Sequence, residues 1–508
     1  MRSATNDSTL ISKLATGIPG FEHVSMGGLP AGRTTLVSGT SGAAKTVFAI
    51  QYLHAGIADY QQNAVFVTFE ESPEDIRRNI RGFGWNIAQH ERDGRWAFVD
   101  ASPEPEDDPI EVGSYDLGAL LARIEHAVKK VNASRVAIDS LGAVFSRFKD
   151  THHIRRELHR LAVVLKRMGV TAILTAEREA EQGPVSRHGV EDFVADNVII
   201  LRNRLEAERR RRTLEILKFR GTDHHKGEFP FTVMPNGGLQ IIPLTAIELE
   251  QKSSDVRVTS GNPELDEMCD GGIYQDSIVL LSGATGAGKT LMATEFVRGG
   301  CDAGQRCLLL AFEESRDQLT RNARGWGVDY ESYQKDGLLE IVCQYPEAMG
   351  LEDHLIRAKH IIQDFGPKRV VVDSLSALER ISTIRGFREF VIGLTSFVKH
   401  QEVAGFLTST TETLMGGTSI TEGHISTITD SIILLRYVEA FGVVRRGLTV
   451  LKMRGSMHDK RIREFTIDGK GMHIGAPFQN ISGILTGRPQ IERQPEQDRL
   501  GAMFNEGE

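Results

Sequence analysis

The chain has 508 residues, 40% of them apolar and 25% charged, with a formal net charge of −8. That length is too great for one ordinary core and calls for two large domains or more. The acidic balance excludes a global attraction to nucleic acid and leaves only a local basic surface for it. No stretch approaches the roughly 20 apolar residues of a membrane span, and the N-terminal "MRSATNDSTL" lacks the apolar core of a secretory signal, so the expectation is a cytoplasmic protein with no membrane attachment.

In chain order, "TTLVSG" predicts a strand that breaks at a glycine, and "TVFAIQYLHAG" predicts a helix ending at Gly56. Between them lies "GTSGAAKT": Gly39, Thr40, Ser41, Gly42, Ala43, Ala44, Lys45 and Thr46. This nearly spells the phosphate-cradling pattern G-x-x-x-x-G-K-[ST], with Ala44 where a glycine belongs. "NAVFVTF" is the next strand and leads into "FEES", with adjacent carboxylates at Glu70 and Glu71. The Pro- and acid-rich "SPEPEDDPIEVGSYD" reads as a surface loop. "RVAID", ending at Asp139, then "VTAILTA", "NVIIL" and "TLEILKF" are short apolar runs expected to be buried strands of a mainly parallel sheet. The basic run Arg209 to Arg212 is expected at a hairpin tip. Lys218 and Arg220, two apart on a strand, would share one face and could meet the triphosphate of a neighbour, with a solvated edge strand as the alternative reading.

The same order then returns. "GATGAGKT" (Gly283, Ala284, Thr285, Gly286, Ala287, Gly288, Lys289, Thr290) fits the phosphate pattern in full at an offset of 244. A second "FEES" with Glu313 and Glu314 follows at an offset of 243, and "KRVVVDSLSALE" with Asp373 and "KMRG" with Lys452 and Arg454 follow at 234. A register that drifts so little marks a duplication. The expected domains are residues 1–247 and 248–488, joined near the polar "EQKSSD", with a mobile polar tail at 489–508. Cys269, Cys301, Cys307 and Cys343 have neither zinc-like nor redox spacing and read as reduced core or helix residues. The fold class is therefore α/β: tandem P-loop NTPase domains, each a mainly parallel sheet flanked by helices.

The chemistry of two such loops is binding of a nucleoside triphosphate. Backbone N–H groups and a helix dipole face the phosphates, Lys45 and Lys289 reach the β- and γ-phosphates, and Thr46 and Thr290 with Asp139 and Asp373 hold Mg²⁺. One carboxylate of each "FEES" pair would be the base and the other its support, against the alternative of an acidic cluster at a helix N-terminus. If the backbone at Ala44 needs φ > 0, its Cβ costs about 1–2 kcal/mol, or roughly 5–30-fold in affinity, which weakens the first site without abolishing it.

"GATGAGKT", the paired "FEES", "VVDSLSALER", "GHISTITDSIILL" and "KMRGSMHDKRIREF" closely resemble the KaiC family of bacterial circadian-clock ATPases and autokinases, which have two RecA-like domains. The resemblance covers the chain to about Arg488. It implies a homohexameric double ring with ATP between subunits, a first ring that hydrolyses ATP and a second that phosphorylates itself. It further implies that Lys218, Arg220, His224, Lys452 and Arg454 act on ATP across the subunit boundary, and that Ser426 and Thr427 are the phosphate acceptors with Thr421 as a further nearby hydroxyl. In the first repeat Asp192 and Phe193 stand in place of Ser426 and Thr427, so only the second repeat has hydroxyls there. Ser and Thr also cap turns, which is the alternative reading. A KaiB-like partner on the first ring and a downstream histidine kinase fit this family. The tail "RPQIERQPEQDRLGAMFNEGE" resembles the family tail poorly, which argues against KaiA docking. Two alternatives stay open: a RecA- or helicase-like DNA-dependent ATPase, for which one basic hairpin in an acidic chain is weak support, and a nucleotide-switched signalling scaffold outside any clock.

Overall fold

The computed structural model describes residues 11–102, 117–142, 151–186, 194–206, 208–243, 253–411, 425–440, 442–479, 481–484 and 490–491. Most of the acidic 102–116 loop, Asp192, Phe193, the start of the "EQKSSD" join, Thr421 and nearly all of the tail lie outside the described residues. The chain divides into two compact units, Met1–Ala246 and Ile247–Glu508.

Each unit is built on a nine-stranded sheet. In the first, the strands from one edge are Trp96–Asp100, Asn63–Thr68, Ala133–Asp139, Thr171–Glu177, Thr34–Gly39 and Asn197–Glu206, all parallel. Arg209–Phe219, Glu228–Met234 and Gly238–Ile241 extend the sheet, each antiparallel to its neighbour. The second unit repeats the plan. Leu339–Cys343, Cys307–Ala311, Arg369–Asp373, Ala404–Thr410, Ile278–Gly283 and Ser431–Ala440 are parallel, and Val443–Met453, Arg463–Asp468 and Gly471–Pro477 form the antiparallel wing.

The unbroken apolar runs follow from helices on both faces. Val37, Phe66, Ala137, Ile173 and Ile199 join a core that includes Phe48, Ile50 and Tyr52 of the helix Lys45–Tyr60. Their neighbours Leu36, Val65, Val136, Leu174 and Val198 point the other way, into a core with the helices Leu117–Val131 and Thr151–Arg167. Burying each such side chain contributes on the order of 1.5–3 kcal/mol.

Three expectations need correction. The first helix does not stop at Gly56 but continues to Tyr60, closing at Gln61 in the left-handed region. Gly56 is a slot: a Cβ there would lie 2.4 Å from Arg135 Cδ, and the fully buried Arg135 donates to Tyr52 O, Ala15 O and Gln62 Oε1, each at 2.7 Å. Gly300 and Arg369 repeat the arrangement. "TLEILKF" belongs to the antiparallel wing and not to the parallel centre, because a hairpin and not a crossover helix joins it to the preceding strand. The arginine run lies in that strand, with Arg209 opposite Glu206 and Arg211 opposite Arg204, just past the tip. The four cysteines are free, three of them buried.

Candidate functional site

Both phosphate loops connect a central parallel strand to a helix. Lys45 Nζ donates to Gly39 O and Thr40 O, each at 3.1 Å, and Lys289 Nζ donates to Gly283 O and Ala284 O at 3.0 and 2.9 Å. Burial lowers the pKa of both ammonium groups, and an arriving phosphate would favour their charged form. Ala44 sits at φ 70°, ψ 29° and Gly288 at φ 107°, ψ 18°, so the position does require the left-handed region and the alanine tolerates it. A Cβ at Gly288 would stand 3.0 Å from Ile467 Cδ1 and 3.1 Å from Met472 Cε. The aligned residue in the first unit is Val233, which lacks that δ-methyl, and Ala44 packs onto the apolar core there. We therefore expect Gly288→Ala to weaken nucleotide binding at the second loop by roughly 5–30-fold. Ala44→Gly should tighten the first loop only modestly. Titrating a fluorescent ATP analogue into each variant checks both, and a Gly288→Ala protein of unchanged affinity would refute the comparison.

Beside each loop a carboxylate end converges on the same hydroxyl. Thr46 Oγ1 donates to Asp139 Oδ2 at 2.6 Å, and Thr290 Oγ1 to Asp373 Oδ2 at 2.8 Å. The other oxygen of each aspartate accepts from Thr175 and Thr408 respectively. Burial raises the pKa of both aspartates, a bias that a nearby cation would oppose. One hydroxyl and one carboxylate are hard oxygen donors and fit Mg²⁺, which keeps its remaining positions for phosphate and water.

The acidic pairs stand just past the strands Asn63–Thr68 and Cys307–Ala311. Ser140 Oγ donates to Glu70 Oε1 at 2.5 Å, and Ser374 Oγ to Glu313 Oε2 at 3.1 Å. Asn79 Nδ2 donates to Glu71 at 3.0 Å, and Asn322 Nδ2 to Glu314 at 3.1 Å. Only in the second unit, among the described residues, does an arginine join: Arg380 NH2 is 2.8 Å from Glu313 Oε1. Burial, with Asp373 as the second cause, raises the pKa of Glu314. Each pair does precede a helix N-terminus, at Pro73 and Arg316, but the helix caps are Ser72 and Ser315, which leaves the carboxylates to these other partners.

The basic pairs lie elsewhere. Arg220 and Arg454 are not on the strand with Lys218 and Lys452; the strands end at Phe219 and Met453, and the arginines follow in a turn. They still gather with the lysines. Lys218 Nζ donates to Ala195 O at 2.8 Å, with Arg220 NH1 3.7 Å from Asp196 Oδ1. Lys452 Nζ donates to Thr429 O at 2.6 Å, Arg454 NH2 to Thr427 O at 2.8 Å, and Arg454 NH1 is 3.7 Å from Asp430. Asp196 and Asp430 accept from the backbone N–H of Thr34 and Ile278, the first residues of the strands whose last residues are Gly39 and Gly283. The basic pairs are thus a strand length, roughly 17 Å, from the phosphate loop of their own unit. His224 follows Arg220; its Nδ1 is buried with no hydrogen-bond partner among the described residues. Exposed Thr427 sits on the single turn Ile425–Thr427 at this same far end, and a cleft of about 390 Å³ lined by Tyr274, Lys399, Asp430 and Arg454 opens beside it.

Sequence reasoning missed Ser140, Ser374, Thr175, Thr408, Asn79 and Asn322. A signal was present: "DSL", "LT" and the asparagine eight residues after the second glutamate recur in both repeats.

A family model described as "ATPase: KaiC" matches residues 14–246 and again 258–478. The chain is 64% identical over 496 residues to the circadian clock protein KaiC3 of a Synechocystis strain, covering 98% of each chain. It is 55% identical over 482 residues to the circadian clock oscillator protein KaiC of Thermostichus vulcanus (95% of this chain, 92% of that one), and 53% identical over 505 residues to that of Synechococcus elongatus (99% and 97%). With both repeats matched in order and similarity running nearly end to end, the chain belongs to the KaiC ATPase family.

Proposed function

We propose that this protein is the core ATPase of a Kai-type circadian timing system: a homohexameric double ring whose first domain hydrolyses ATP and whose second domain transfers the γ-phosphate to Ser426 and Thr427. The observation that carries this reading is the separation of parts. Each unit holds a phosphate loop at one end of its sheet and a Lys/Arg pair at the other, and in the second unit Thr427 stands with that pair. No subunit can bring its own ATP to its own acceptor across roughly 17 Å. A neighbour whose phosphate loop docks against this end supplies both at once.

Within the completed site Lys289 and the loop N–H groups bind the β- and γ-phosphates, while Lys452 and Arg454 of the adjoining copy balance charge on the transferring group. Thr290 and Asp373, like Thr46 and Asp139, would hold Mg²⁺, which supplies charge neutralisation between phosphate oxygens. One of Glu313 and Glu314, which Ser374, Arg380 and Asn322 orient, takes the hydroxyl proton as the acceptor oxygen attacks the γ-phosphorus and ADP leaves, and the other supports it. Glu70 and Glu71 do the same for water in the first site, where Lys218, Arg220 and His224 complete the pocket. A KaiB-like protein on the first ring and a downstream histidine kinase are the partners this assignment implies, with cytoplasmic residence, and KaiA docking on the divergent tail is not among them. A DNA-dependent ATPase is disfavoured because the chain carries a net charge of −8 and part of the basic hairpin is paired with carboxylates: Arg211 of the arginine run with Glu206, and on the facing strand Arg202 with Glu215 and Glu228 and Arg204 with Glu228. The test is light scattering with and without ATP and Mg²⁺, followed by phosphosite mapping. A hexamer formed on nucleotide addition, with phosphate on Ser426 and Thr427, is expected, and a monomer at saturating ATP would rule the ring out.

A further inference from the structure

The two phosphate loops differ at Ala44 against Gly288, and they differ again in what holds them from outside. In the first unit Glu181 Oε1 accepts from the hydroxyl of Thr40, the second loop residue, and from the backbone N–H of Asn203 on the adjoining strand at 3.2 Å. Arg202 NH1 donates to the main-chain oxygen of Glu181 at 3.0 Å. Arg178 N donates to Gly39 O at 3.1 Å, and its guanidinium, only 6% exposed as a residue, closes the segment on Gly183 O and Pro184 O at 3.0 Å each. The loop is therefore clamped between the segment 178–186 and the strand Asn197–Glu206.

Of these side chains Arg202 alone recurs, as Arg436, and Glu181, Thr40, Asn203 and Arg178 do not. Thr411 N donates to Gly283 O at 3.1 Å, so Thr411 is the counterpart of Arg178, and three residues on Leu414 aligns with Glu181. Ala284 aligns with Thr40, and Tyr437 with Asn203; the Tyr437 hydroxyl reaches Thr285 O only at 3.4 Å. Among the described residues, the loop with glycine has no carboxylate at its second residue. The loop with alanine has one. A non-glycine residue at φ > 0 persists when its surroundings over-determine it, and otherwise relaxes.

We propose that Glu181 is a positioning residue of the first nucleotide site, holding the phosphate loop through Thr40 in the conformation from which Ala44 would otherwise relax. The proposal rests on the reading of this loop as a nucleotide site. With the clamp in place, the backbone N–H groups of the loop and Lys45 keep their orientation toward phosphate. Without it, Ala44 can return to φ < 0 and turn them away. At the second loop Gly288 carries no such strain and needs no outside hold.

The test is a double-mutant cycle in the full-length protein carrying Lys289→Ala, so that only the first loop binds, read as affinity for a fluorescent ATP analogue. Glu181→Leu should weaken binding about tenfold with Ala44 present, and less than about threefold in the Ala44→Gly background. Glu181→Gln, whose amide oxygen still accepts, should stay within about threefold of the parent. Thr40→Ala deletes one hydroxyl without touching the core, so it decides the matter if Glu181→Leu folds poorly, and it should show the same dependence on residue 44. Equal losses in the two backgrounds, or no loss in either, would overturn the clamp while leaving the nucleotide site intact. Absence of binding in the parent itself would overturn the nucleotide reading, and the clamp with it.

Discussion

Mixing a Glu313→Gln, Glu314→Gln protein with a Ser426→Ala, Thr427→Ala protein should restore phosphate incorporation into the former, from background to a substantial fraction of the wild-type level. The first variant keeps its acceptors but loses the carboxylates that Ser374, Arg380 and Asn322 orient, a loss on the order of 10²- to 10⁴-fold in rate. The second keeps the carboxylates and lacks the acceptors. In a mixed assembly a loop of the second kind faces a Thr427-bearing turn of the first kind, and transfer resumes. Radiolabel followed by separation of tagged subunits measures it. Label that never enters the carboxylate-deficient subunits would show transfer within one chain, and would contradict the placement of Thr427 at the sheet end remote from its own loop.

A protein carrying Lys289→Ala should retain about one nucleotide per subunit after desalting, and Lys45→Ala, Lys289→Ala none. Each lysine ammonium contributes several charge-assisted contacts to phosphate, so its loss weakens binding by on the order of 10²-fold or more. The alanine at 44 does not remove that lysine; it leaves Lys45, Thr46 and Asp139 in the arrangement of Lys289, Thr290 and Asp373. Extraction and chromatography of bound nucleotide give the count. If Lys289→Ala protein is empty and Ala44→Gly refills it, the methyl group has disabled the first loop.

Much of this architecture could be read from residues alone because a duplication compares itself. Strands such as Thr34–Gly39 and Ala133–Asp139 showed as apolar runs ending in a glycine or an aspartate, and the loops, the acidic pairs and the KMRG motif stood out by recurring. The antiparallel wing was less legible. Glu228–Met234 and Gly238–Ile241 carry no periodic signal strong enough to separate a wing strand from a loop, and TLEILKF has the composition of a central strand. Gly56 was misread because a glycine that ends a helix and one that admits a buried arginine look alike until the arginine, 79 positions away in sequence, is placed. Glu181 was invisible for a related reason: its partners Thr40 and Asn203 are distant along the chain, and comparison of the repeats highlights what is shared, whereas Glu181, Thr40 and Asn203 are replaced in the second repeat by Leu414, Ala284 and Tyr437.

The strand length between each phosphate loop and its Lys/Arg pair also bears on heredity. In the proposed ring, a copy lacking Lys218 and Arg220 would still fold, still hold its own nucleotide and still assemble, yet it would silence the pocket of the copy beside it. Such an allele, expressed beside a normal one, would act dominantly: its harm falls on the healthy product and grows faster than its share of the pool. A copy that cannot bind nucleotide, by contrast, would be left out of assembly and pass as recessive.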